Sequence, residues 1–241
     1  FMIGIMFLTG VSWLLFWFIF KKNLFQFWFS NLQLRTTDAL IGACIALLAF
    51  AIPLVLKSII YSIDWHYNQG ADARSLFSAL FFYFKSIMFE ELIFRGVILT
   101  LLAGFTRNKV AVIISAIVFG IYHWFSYGMF GSGLIPMIYV FLLTGGMGFV
   151  WAYIYLKTNS IVMPAVIHLL WNFQSSLFLD YQPFGQLLFE LTSAAEYSEL
   201  FDFAIMTGGK LMSILIMFGL FQFYIRNKKR ADLYESALLP L

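Results

Sequence analysis

Glu90, Glu91 and Arg95 stand within FEELIFRG (Phe89–Gly96), in a stretch that is otherwise almost wholly apolar. Two carboxylates and a guanidinium can clamp helices together by ion pairing, or one of them can be left free to work. Each charge at mid-bilayer costs roughly 2.5–3.5 kcal/mol on insertion scales. Such groups therefore face a bundle interior and are functional by default. Successive helix residues point about 100° apart, so Glu90 and Glu91 do not aim at one point. Glu91 and Arg95 lie four apart with the acid first, which suits a pair along one face. The spacing thus predicts Glu91–Arg95 as scaffolding and leaves Glu90, unpartnered on its own helix, as the working group.

The groups that can meet Glu90 come from other segments. Of three histidines, His66 lies in the polar DWHYNQ and is expected to be solvated. His123 falls late in an apolar run, in FGIYHW. His168 is followed four residues on by Asn172, so both occupy one helical face. At a rise of about 1.5 Å per residue, Glu90, His123 and Asn172 sit about 21, 20 and 17 Å from the same end of their runs. His168 comes out shallower, at about 11 Å. These depths allow a shared polar level. Gly120 and Pro164, one turn before the two histidines, are expected to open room around the imidazoles.

In order and type, EELIFR (Glu90–Arg95), FGIYH (Phe119–His123) and HLLWN (His168–Asn172) resemble the motifs of the CPBP family. That family contains the CAAX prenyl endopeptidases and bacterial bacteriocin-processing and immunity proteins. Its pattern is EExxxR, then FxxxH, then HxxxN or HxxxD, each on its own membrane helix. The three motifs cover about a third of the chain. The resemblance implies that Glu90 is the catalytic acid, that His123 and His168 are essential, and that Asn172 is the polar end of the last motif. It implies an intramembrane endopeptidase. Glu90 would take a proton from water that His123 orients, and His168 and Asn172 would donate toward the carbonyl oxygen as it gains charge. Two His and a Glu are also a ligand set for zinc with room for a water, so Glu90, His123 and His168 are the candidate metal ligands. No HExxH is present and a zinc-bound Glu90 leaves no evident base, so a metal-free glutamate mechanism is preferred.

These groups need a bundle of membrane helices to position them, and the composition supplies one. Of 241 residues, 62% are hydrophobic and 11% charged, where a soluble domain carries about 25% charged residues. The expected fold is all-α, a single polytopic membrane domain over 1–241 with its motif-bearing core at 76–179. About 20 apolar residues make a span, which gives about seven: Phe1–Phe20, Ala39–Ile63, Leu76–Gly104, Val110–Tyr127, Leu134–Leu156, Ile161–Leu179 and Gly208–Ile225. The first run has neither a basic stretch before it nor a small-residue cleavage site after it, so it reads as a membrane helix rather than a signal peptide. Pro53 and Pro164 are expected to kink their helices, and GGMG (Gly145–Gly148) to let helices approach closely. Gln182–Met206 reads as amphipathic helix on the outer interface, with SAAE (Ser193–Glu196) as its capping box.

Charge sets the orientation. Lys21, Lys22, Arg35, Arg107, Lys109, Lys157, Arg226, Lys228, Lys229 and Arg230 fall on one side, while the other carries Asp64, Asp72, Asp180, Glu190, Glu196, Glu199 and Asp202, with Arg74 in a loop and Lys210 at a helix start. The basic loops and C-terminal tail are therefore expected in the cytoplasm of a cell-membrane protein, with RNKKR as an anchor that touches anionic lipid. Cys44 is the only cysteine, which excludes an internal disulfide and a thiolate zinc site. Nothing supports nucleic-acid binding. The expected partners are the lipid bilayer and a membrane-embedded or membrane-associated peptide or protein. Two other readings compete: a non-catalytic membrane scaffold or bacteriocin-immunity protein, and a proton-coupled transporter, whose repeated halves are not found.

Overall fold

The computed structural model describes residues 2–181 and 183–227. Helices α1 (Met2–Phe20), α2 (Leu24–Phe29) and α3 (Leu32–Tyr61) are followed by a short strand, β1 (Asp64–Tyr67). Helix α4 (Ala73–Glu91) passes without a break into a π-helical segment (Leu92–Leu99) and then α5 (Thr100–Phe105). Helices α6 (Asn108–Ser126), α7 (Leu134–Thr158) and α8 (Val162–Phe178), strand β2 (Phe189–Ser193) and helix α9 (Glu199–Asn227) complete the described residues. The fold is an all-α helical bundle. Among the described residues, five helices are long and apolar enough to cross a membrane: α1, α3, α6, α7 and α9. The other two expected spans are helical as well: α4 with its π continuation, which carries Glu90, Glu91 and Arg95, and α8, which carries His168 and Asn172.

Small residues set how closely the motif-bearing helices pack. A Cβ on Gly148 of α7 would lie 2.9 Å from the Phe119 ring of α6, and one on Gly145 would lie 3.3 Å from the Ala116 carbonyl. Gly120 has the same role rather than opening space at His123, since its Cβ would meet Phe141 at 2.7 Å. Gly96 sits against α1, where a Cβ would overlap the Ser12 hydroxyl. Pro164 lies in the first turn of α8, where the missing N–H has no helical acceptor to lose, so it begins the helix and does not kink it. Pro53 stands inside α3.

Several boundaries differ from the sequence expectation. Helix α3 starts at Leu32, capped by Asn31, and the preceding segment forms α2, capped by Asn23. Arg35 is therefore not a loop charge. It is a buried helical residue paired with Asp38 at 3.0 Å, and that neutralisation lets the helix continue through both charges. Of the segment expected as amphipathic helix, residues 199–206 are helical, as the start of α9, whereas 189–193 form β2, which pairs antiparallel with β1 in the register Trp65↔Leu191 and His66↔Glu190. The SAAE capping box does not form, because the Ala195 amide donates to the Tyr61 carbonyl (2.7 Å) and the helix starts only at Glu199. His66 is exposed as expected, with Nδ1 2.8 Å from the Thr192 hydroxyl. Lys228, Lys229 and Arg230 lie outside the described residues.

Candidate active site

Glu90 and Glu91 occupy the last turn of α4, and Arg95 lies one turn on, in the π segment. Asp72 caps the start of α4 and Ser75 completes a capping box. The amide and hydroxyl of Ser75 hold the Asp72 carboxyl below the usual carboxylate range. Four residues apart, Glu91 Oε1 and Arg95 Nη1 form an ion pair at 3.1 Å, with both side chains fully buried. Arg95 Nη2 donates to the Gly148 carbonyl at 3.3 Å. Its guanidinium also lies 5.1 Å from the Phe119 ring centroid and 5.6 Å from that of Trp151, within the range of cation–π attraction. One cation thus ties α4 to α6 and α7.

The sequence reading missed that Glu91 reaches a third helix. His168 Nδ1 is 3.0 Å from Glu91 Oε1. A carboxylate paired with a guanidinium offers only lone pairs, so His168 donates from Nδ1. This fixes its tautomer and turns Nε2 toward Glu90, whose Oε2 lies 3.9 Å away. Trp151 stacks on the His168 ring at 3.8 Å and 21°, so the imidazole is held by one hydrogen bond and one aromatic face. His123 is set in a similar way. Its Nδ1 is 2.8 Å from the Phe119 carbonyl, an acceptor, so Nδ1 carries the proton and Nε2 is left with its lone pair. Neither Trp151 nor the Glu91–His168 bond has a signal in local spacing, since the partners lie on different helices.

A cavity of about 960 Å³ opens among these helices, and Glu90, His123, His168 and Asn172 all line it. Glu91 and Arg95 lie behind its wall, fully buried. The Glu90 Oε2 atom is buried without a hydrogen-bond partner, and a native fold leaves few such acceptors idle. Tyr122 and Tyr127 of the α6 end, together with Tyr181 after α8, line the same space; Tyr127 packs edge-on against His123 at 5.0 Å. The rest of the wall is largely apolar, with Phe119, Trp151 and Trp171 near the imidazoles.

The donor set Glu90, His123 and His168 has the right chemistry for zinc, but its geometry does not fit. Among the described residues, no three His, Cys, Asp or Glu groups gather at metal-binding spacing, although each imidazole donates from Nδ1 to protein and keeps Nε2 free, as a metal ligand would. No step is therefore routed through a metal.

Residues 72–174 match the family model for Rce1-like type II CAAX prenyl endopeptidases. The matched region runs from the α4 cap to two residues past Asn172 and contains all three motifs. No curated protein and no solved structure matches the chain.

Proposed function

We propose, from the match of residues 72–174 to the Rce1-like type II CAAX prenyl endopeptidase model, that this chain is a CAAX-type intramembrane endopeptidase in which Glu90 activates water to cleave a peptide bond of a membrane-associated peptide or protein. The family is one of CAAX-type intramembrane proteases. One observation carries the finer reading: side chains from α4, α6 and α8 converge on a single cavity, where Glu90 presents a buried oxygen with no hydrogen-bond partner.

The chemistry follows from the protonation pattern. A water in the cavity donates one hydrogen bond to the His123 Nε2 lone pair and the other to the Glu90 carboxylate. Glu90 removes a proton as the water oxygen attacks the carbonyl carbon of the substrate. The carbonyl oxygen takes up negative charge, and the Asn172 amide N–H₂ is the donor that serves it from the same wall. His168 adds a donor from Nε2 only as the imidazolium. The proton held by Glu90 then passes to the leaving nitrogen, the C–N bond breaks, and the products are a carboxylate and an amine. Glu91 stays out of the reaction and orients His168. The Phe and Trp walls exclude bulk water, which strengthens each of these interactions. The basic helix ends, at Lys21–Lys22, Arg107–Lys109 and Lys157, are placed in the cytoplasm by the positive-inside rule.

Comparative peptidomics of cells carrying the wild-type chain or Glu90→Gln tests this. The expected result is a set of cleaved fragments that vanishes in Glu90→Gln at equal protein level. Coincident profiles would overturn the enzymatic reading in favour of a scaffold.

A further inference from the structure

The cavity is confined to one half of the bundle. On α3 its lining begins at Phe50 and runs on toward Tyr61, and on α8 it begins at His168 and runs on to Phe178. Among the described residues, α4 contributes nothing after Glu90, α6 nothing before Phe119, α7 nothing after Trp151 and α9 nothing after Ile214. Successive helices thus give opposite ends of their sequences to the same space, and that space lies where α3 leads to α4, α6 to α7 and α8 to α9. His123 stands one turn from this end, since α6 stops at Ser126. Trp65 of β1, Asp180 and Leu191 of β2, all from the connections at this end, also line the cavity.

Toward the other end the bundle is closed. Leu92 and Leu99 of the π segment pack with Phe16 of α1 and Tyr155 of α7, all of them buried. Further along, Arg35 of α3 reaches the Thr158 carbonyl of α7. Glu90 is therefore approached from one side only.

Charge tells the two ends apart. The three connections at the cavity end, 62–72, 127–133 and 179–198, carry Asp64, Asp72, Asp180, Glu190 and Glu196 and neither Lys nor Arg. The basic residues of this half, Lys57, Arg74, Lys85 and Lys210, belong to the adjoining helices α3, α4 and α9. The closed end carries Lys21, Lys22, Arg107, Lys109, Lys157 and Arg226, and among the described residues its one acid, Asp38, is paired with Arg35. Basic residues in short loops and at span ends are retained in the cytoplasm, which puts the open end on the opposite face.

We propose that this centre is reached from the extracytoplasmic face alone, and that its substrate is an exported polypeptide whose hydrophobic segment enters the cavity from that face. A largely apolar wall with a few convergent polar groups suits such a segment. A protein tail held at the cytoplasmic leaflet has no path to Glu90, because the closed half of the bundle stands between them. The substrate class rests on the endopeptidase reading, whereas the direction of access does not.

The full chain in sealed membrane vesicles, right-side-out or inverted, separates the two. In a Cys44→Ser background, single cysteines are introduced as Ser86→Cys, one turn before Glu90 on the cavity wall, as Ser126→Cys, near its mouth, and as Gln33→Cys, exposed at the basic end of α3. Each vesicle type is treated with a charged maleimide that does not cross the bilayer. Ser86→Cys and Ser126→Cys should label in right-side-out vesicles and lose that label in inverted ones, and Gln33→Cys should do the reverse. Serine to cysteine exchanges one atom, and either cavity position suffices if the other variant fails to fold. Cavity cysteines that label from the inverted side, from both sides equally, or from neither overturn the proposed access. For the substrate class, the fragments that vanish in Glu90→Gln cells should come from exported polypeptides. Fragments drawn from cytoplasmic tails overturn that class while the labelling stands, and coincident profiles overturn it together with the endopeptidase reading.

Discussion

Among the described residues, two buried arginine–carboxylate pairs lie in this bundle, and they do different work. At the basic end, Arg35 pairs with Asp38 at 3.0 Å. The arginine also donates to the Thr158 carbonyl at 2.9 Å, and the Tyr224 hydroxyl reaches the other Asp38 oxygen at 3.3 Å. Every helix so joined, α3, α7 and α9, is held by a group that ends in protein. The Glu91–Arg95 pair also joins helices, but its carboxylate goes on to orient His168, whose other nitrogen faces a cavity. Similar chemistry, an arginine and an acid within a helical turn, thus makes a pin in one place and the back wall of a site in the other. What distinguishes them is the neighbour: the second pair has Glu90 and the cavity next to it, while the first is tied to Thr158 and Tyr224.

Breaking either pair separates the two roles. Arg95→Met or Glu91→Leu strands a fully buried charge and should destabilise the protein by about 3–5 kcal/mol, read as a fall in the thermal midpoint in detergent, with cleavage lost as His168 comes loose. Arg35→Met strands Asp38 and should lower stability by a similar amount, but the protein that remains folded should keep its cleavage rate. Equal loss of specific activity in the two cases would erase the distinction. A smaller effect is expected for Gly96→Ala, whose added methyl meets Ser12 of α1. Overpacking of this kind costs typically about 1–3 kcal/mol. The smallest belongs to Asp72→Ala at the α4 cap. The Asp72 carboxyl is held low by Ser75, so its contribution is present at neutral pH and is lost as pH falls through the carboxylate range. Wild type and Asp72→Ala should therefore converge in thermal midpoint on acidification.

The parts of this molecule legible in its sequence are those whose signal is local. Charges costly in lipid singled out Glu90, Glu91 and Arg95. The i,i+4 rule found the Glu91–Arg95 pair, and the direction of Glu90 followed from the helical turn. Apolar run length located the helices to within a few residues wherever no charge interrupted them. It failed at the start of α3, where Arg35 and Asp38 neutralise each other inside the helix. The β1–β2 pair was illegible because strands of four and five residues, more than a hundred positions apart, specify each other only in space. The π-helical register after Glu91 and the stacking of Trp151 on His168 are also tertiary facts. Depth allowed Glu90, His123 and Asn172 a shared level and put His168 shallower, so the cavity that all four line is likewise a tertiary fact.

The central claim is that Glu90, and not its neighbour, is the acid that works. Purified Glu90→Gln removes one charge from a residue with no ion pair closer than 3.9 Å. Its thermal midpoint and its cleavage of a peptide that the wild type hydrolyses should be measured on the same preparation. The account predicts a midpoint at or above that of the wild type, with cleavage reduced by at least about a thousandfold. A folded Glu90→Gln protein that cleaves the peptide at the wild-type rate would contradict it.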